Sequence, residues 1–93
     1  MAKRERLTFD AAERLALQGL AFLASDAQRL GRFLALTGIG PAELRNWESN
    51  PALQSAVLDH LLGDESLLLV FAAEAGLPPE QVAPAQQLLA GAS

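Results

Sequence analysis

Two glycine–proline corners, thirty-eight residues apart, constrain this chain more than any other feature. The first lies in Leu36-Thr37-Gly38-Ile39-Gly40-Pro41-Ala42-Glu43-Leu44. Gly38 follows a periodic apolar run and suits the left-handed conformation that closes a helix. Ile39 is placed to pack back onto the finished helix. Pro41 suits the first turn of a new helix, where its missing N–H costs nothing. The stretch reads as helix, tight corner, helix. Ala75-Gly76-Leu77-Pro78-Pro79-Glu80-Gln81-Val82 repeats the grammar. In that register nine of the 27 positions from Leu15 to Pro41 match their counterparts, among them Leu23 with Leu61, Asp26 with Asp64 and Phe33 with Phe71. Two readings are open: an internal duplication of a three-helix unit, or helix punctuation shared in a chain rich in Leu and Ala.

The 93 residues suffice for one domain and not for a second core. With 51% hydrophobic and 19% charged residues the chain is globular. Its apolar content is mostly Ala and Leu, with few β-branched or aromatic residues, which argues for helices and against a sheet. The absence of Cys excludes disulfides, thiolate metal sites and Cys nucleophiles. The longest apolar run, Leu67 to Ala73, is far short of the roughly 20 residues that span a bilayer. Neither a membrane segment nor a leader is expected, so the chain reads as cytoplasmic.

Helix 1 is expected from Phe9 to Ala24, capped by Thr8, with Phe9, Ala12, Ala16, Leu20 and Leu23 facing inward and Leu15, Leu17 and Phe22 widening the face. Ser25-Asp26-Ala27-Gln28 has the form of a capping box, so helix 2 follows almost without a loop and runs to Thr37. Its expected stripe is Leu30, Phe33, Leu34 and Thr37, with Arg29 and Arg32 off it. A short helix 3 starts at Pro41 and places Leu44 and Trp47 on one face. Asn50-Pro51 opens helix 4, which Gly63 stops at Leu62. Asp64 caps helix 5, Glu65 to Ala75; its all-round apolar surface predicts the bundle's centre or an interface with a second copy. The last segment starts near Pro79, and Pro84 is expected to kink or break it, with Leu88 and Leu89 pinning a final turn. The expected fold is an all-α bundle of five to six short helices, with two related three-helix halves as one form of it. Residues 1–7 are read as a disordered basic arm, 8–90 as a single helical domain and 91–93 as a loose end.

Charge is unevenly spread. All seven basic residues lie in the first 45 positions, against five acids, for a net +2. Residues 46–93 carry six acids and no Lys or Arg. That asymmetry suits attraction between the halves, an acidic face for a basic partner, or simply a solvated acidic surface.

Catalysis finds little footing. His60 neighbours Asp59, but adjacent residues on a helix do not face each other. A metal site from His60, Asp64 and Glu65 is disfavoured because Gly63 ends the helix between them. No serine has a base at recognisable spacing, and Gly38-Ile39-Gly40 alone is a weak phosphate signal. No catalytic, cofactor-binding or metal residue is assigned. Leu36-Thr37-Gly38-Ile39-Gly40-Pro41 looks like the helix–hairpin–helix motif, whose hairpin offers backbone amides to a DNA phosphate, with Arg29, Arg32 and Arg45 near. Leu44 stands where that motif usually has a small residue, Pro78 replaces the second glycine in the other corner, and the net charge of −4 opposes phosphate binding. Protein–protein interaction is the favoured class, with Trp47, Leu44, Arg29 and Arg32 as the expected surface and either an unknown protein or a second copy as partner. The competing reading has Trp47 plugging the bundle over Pro51.

Four phrases carry a resemblance: Leu15 to Ala24, Arg32 to Gly38, Val57 to Glu65 and Phe71 to Glu80. Together they resemble a small bacterial domain-of-unknown-function family, number three thousand five hundred and seventy-two, of helical proteins about this length. The resemblance covers Phe9 to Leu89 and implies an uncharacterised cytoplasmic protein with no assigned activity or site. It supplies no functional residues.

Overall fold

The hydroxyl of Thr8 accepts the Ala11 N–H at 3.1 Å and starts the first helix of a computed structural model that describes residues 7–92. The elements are α1 (Phe9–Ala24), α2 (Ala27–Thr37), α3 (Pro41–Leu44), a 3-10 turn (Trp47–Ser49), α4 (Pro51–Leu62), α5 (Glu65–Ala75), a second 3-10 turn (Pro79–Gln81) and α6 (Val82–Gly91). The described residues are mostly helical and contain no strand, so the fold is an all-α bundle.

Local chemistry sets most boundaries. The side chains of Asn50 and Asp64 accept the amides of Leu53 and Leu67, both at 3.1 Å, and so start α4 and α5. The capping box expected at Ser25 is not formed. Asp26 caps α2 instead, its carboxylate accepting the Gln28 and Arg29 amides at 2.9 and 3.3 Å, while the Ser25 hydroxyl turns back to the Phe22 carbonyl at 2.7 Å. Gly38 and Gly76 close α2 and α5 at φ 75° and 69°, the left-handed region that favours glycine. The two corners then differ. At Gly76 the Leu77 N–H reaches back to the Ala72 carbonyl at 3.0 Å, the longer loop of a Schellman motif. At Gly38 the Ile39 N–H donates to the Thr37 hydroxyl at 3.3 Å instead.

The core is built by α1, α4 and α6, with Ala12, Ala16, Leu23, Val57, Leu58, Leu61, Val82, Ala85 and Leu89 all fully buried. The central place expected for α5 falls to α4. Of α5 only Phe71 and Ala72 are buried, and Leu69 and Val70 are 49% and 41% exposed. Helix α4 also buries two polar side chains, Gln54 and Ser55, each with at least one hydrogen-bond partner. The Gln54 amide donates to the Trp47 carbonyl at 2.7 Å, and the Ser55 hydroxyl accepts from Gln86 at 3.0 Å. Helix α1 can approach α4 closely because Gly19 faces Val57 and Leu61 across the contact.

Several expected positions move. Phe9 and Leu17 are exposed, at 37% and 51%, although both were expected on the inner face of α1. In α2 only Phe33 is buried; Thr37 is exposed and its hydroxyl donates to the Phe33 carbonyl at 2.7 Å. Pro84 breaks nothing. Because the 3-10 turn takes Pro79–Gln81, α6 starts at Val82 and Pro84 falls in its first turn, where no N–H is needed. Leu89 enters the core and Leu88 stays 39% exposed. Leu7, read as part of the arm, packs against the core. The rest of that arm lies outside the described residues, as does Ser93; Gly91 belongs to α6 rather than to a loose end.

The thirty-eight-residue register reappears in three dimensions. Helices α2 and α5 are both 11 residues long, start at an Asp cap and end at a left-handed Gly. Phe22 packs on Phe71 at 5.5 Å between ring centroids, and His60 packs on Phe33 at 5.2 Å. These contacts exchange under the shift, since Phe22 corresponds to His60 and Phe71 to Phe33. The helix pairs α1–α2 and α4–α5 therefore share the punctuation of their second helices and a pair of corresponding ring contacts. The third elements are not matched, because α6 is a core helix and α3 is a single exposed turn with no buried residue.

Candidate functional site

The structure separates the residues expected to form one surface. Arg29 and Arg32, from the first half of α2, line a cleft of about 600 Å³ with Asp59 and His60 of α4 and with Asp64 and Glu65 at the start of α5. Trp47 lines a different cleft of about 400 Å³, with Asp10, Glu13, Arg14 and Leu17 of α1, Glu48 beside it, and Gln54 of α4. Leu44 is half-buried against the core. Leu44 and Trp47 do not share a helix face, since α3 ends at Leu44 and Trp47 opens the 3-10 turn.

In the first cleft, Arg29 lies over the Phe22 ring at 4.4 Å from its centroid, a cation–π contact worth about 0.5–1 kcal/mol. His60 meets the Phe33 ring edge-on at 73°. Burial pushes the His60 imidazole below its ordinary value, the Arg32 guanidinium pushes it further the same way, and Asp64 and Asp59 pull against both. At neutral pH His60 is therefore neutral. Among the described residues no group of three or more His, Asp or Glu is placed to hold a metal ion.

The second cleft is assembled from distant parts of the sequence. Glu13 stands one helical turn from Asp10 on α1, and the 3-10 turn brings Glu48 and Trp47 opposite. Trp47 is only 9% exposed, so most of the indole is spent in the core. Gln54 is 1% exposed. Its Nε2 is committed to the Trp47 carbonyl, and its Oε1 accepts no hydrogen bond among the described residues. Sequence reasoning missed Gln54. The only signal was its spacing, three, four and seven residues before Val57, Leu58 and Leu61, which puts an amide on the apolar stripe of α4.

The Gly38–Pro41 corner uses its own amides. Gly38 N–H donates to the Leu34 carbonyl at 2.9 Å, Ile39 N–H to the Thr37 hydroxyl, and Gly40 N–H to the Glu43 carboxylate at 2.9 Å. A phosphate arriving there meets a carboxylate already in place.

Capped helix pairs around a three-helix core, with two acid-lined clefts, define a small all-α domain. Residues 9–92 match the model of the family described as protein of unknown function (DUF3572), and the chain belongs to that family. No curated protein and no solved structure matches it. Among the described residues no helix is long and apolar enough to cross a membrane.

Proposed function

We propose that this domain is a non-enzymatic protein–protein interaction module of the cytoplasm, and that the Trp47 cleft is where its partner docks. One observation carries the reading: a buried acceptor without a donor among the described residues, Gln54 Oε1, in a residue that lines an open, acid-rimmed cleft. A buried carbonyl left unpaired costs about 1–3 kcal/mol, which a partner's donor recovers. The cleft holds carboxylates, an indole and an amide, and it lacks a nucleophile paired with a base. The nucleic-acid reading gains nothing from the Gly38–Pro41 corner, whose amides are engaged within the chain.

Affinity capture from native lysate, with and without nuclease, tests the proposal when run beside Glu48→Arg. A protein retained at fixed stoichiometry after nuclease, and lost with Glu48→Arg, is the expected result. Material that disappears with nuclease overturns it, and so does capture indifferent to Glu48→Arg.

A further inference from the structure

We infer that the Trp47 cleft binds the guanidinium of an arginine side chain presented by a basic segment of the partner protein. The inference rests on the interaction reading above and adds the chemistry of the contact.

Three features define the ligand. The first is charge. Among the described residues, Asp10, Glu13 and Glu48 stand against the guanidinium of Arg14, so the described lining carries a net −2 and favours a cation. The second is hydrogen-bond polarity. The Gln54 amide donates to the Trp47 carbonyl at 2.7 Å, which fixes Oε1 as the free end. That oxygen and the three carboxylates only accept, and they outnumber the donor side chains of Arg14 and Trp47 in the lining, so the cleft favours a ligand rich in donors. A guanidinium has five N–H donors in a planar fork and no acceptor; an ammonium has three from a point. The third is the indole in the lining, against which a weakly hydrated planar cation loses less on leaving water than an ammonium does. A cavity of about 400 Å³ suits one long side chain and its flanking backbone. An anion would meet three carboxylates, and an apolar side chain would leave Gln54 Oε1 unpaired.

Trp47 is the chain's single Trp, so its emission and its indole N–H resonance report on this cleft alone. The full-length protein is titrated with N-acetyl-arginine amide, N-acetyl-lysine amide and N-acetyl-glutamine amide. The arginine probe is expected to give a saturable shift of the Trp47 indole and Gln54 side-chain amide signals, weakened by salt. The lysine probe binds more weakly and the glutamine probe not at all. Glu13→Gln and Glu48→Gln each weaken arginine binding about threefold, and Arg14→Gln strengthens it by a similar factor. Gln54→Leu abolishes it; should that chain fail to fold, the three rim variants, at positions that are exposed or half-buried, decide alone.

Equal responses to the arginine and glutamine probes overturn the inference, as does no response. A response seen only after Lys3, Arg4 and Arg6 are all changed to Gln also overturns it and gives the cleft to the chain's own first residues. Capture lost with Glu48→Arg, in a protein that ignores the arginine probe, leaves the interaction reading standing and removes the ligand class.

Discussion

Gly19 and Gly31 offer a paired test of how tightly the core closes. Both are helical, Gly19 within α1 and Gly31 within α2. Alanine at either position gains about 0.5–1 kcal/mol in helix propensity. A Cβ at Gly31 meets nothing within 4 Å, so Gly31→Ala keeps that gain. A Cβ at Gly19 comes within 3.1 Å of Val57 Cγ1, 3.2 Å of Leu61 Cδ1 and 3.5 Å of Leu58 Cδ2. All three neighbours are fully buried, and the Val is stiff about χ1, so they yield little. Overpacking of this kind costs about 1–3 kcal/mol. The propensity terms cancel between the two variants, leaving a difference of about 1–3 kcal/mol, or roughly 4–24 °C in Tm for a domain of this size. Urea and thermal unfolding followed by circular dichroism measure it. If Gly19→Ala stabilises as much as Gly31→Ala, α1 and α4 do not pack through Gly19 and the account of the core is wrong.

Further outcomes follow from other residues. His60 has its pKa lowered in the fold, first by burial and then by Arg32, so the unfolded chain takes up the proton first. Stability is therefore full above the ordinary value of 6.5 and falls as pH drops below it. Titration of the single histidine by NMR should show a midpoint below 6.5 that rises in Arg32→Gln; an unmoved midpoint removes Arg32 as a cause. Pro84→Ala should destabilise by about 0.4–1 kcal/mol, because a first-turn proline restricts the unfolded chain at no cost to the helix. A stabilisation near 3 kcal/mol would instead place Pro84 in a helix interior. Asp64→Ala should cost about 1 kcal/mol in urea unfolding through loss of the α5 cap, and no loss would mean the cap is redundant. Leu69→Ser with Val70→Ser should leave stability within about 1 kcal/mol, since both side chains already face water. A chain that pairs through α5 becomes monomeric in that double variant by sedimentation; an unchanged mass removes α5 as a dimer face.

What the sequence disclosed, and what it hid, divides along the range of the interactions. The caps at Thr8, Asn50 and Asp64 and the left-handed glycines at positions 38 and 76 were legible because each is decided within a few residues. Ser25 and Asp26 were confused because both residue types cap helices, and only the fold shows which oxygen reaches the amides. The centre of the bundle was hidden. Helix α5 is the more apolar, but burial depends on what surrounds a helix, and α4 is flanked by α1, α5 and α6. Gln54 was hidden for the same reason, since its partner is the Trp47 carbonyl, brought near by a 3-10 turn. The clefts draw on α1, α2, α4, α5 and the 3-10 turn at Trp47, and no local spacing announces such a grouping.

The place of α6 in the core also has a consequence for biosynthesis. Its Val82, Ala85 and Leu89 complete the packing of α1 and α4, yet it is the last described helix to leave the ribosome. Until then the nascent chain can form its two capped helix pairs, whose caps and corners are local, but the parts of α1 and α4 that α6 covers stay exposed. Chaperones that bind exposed Leu and Phe have their opportunity in that interval, and it ends when α6 docks.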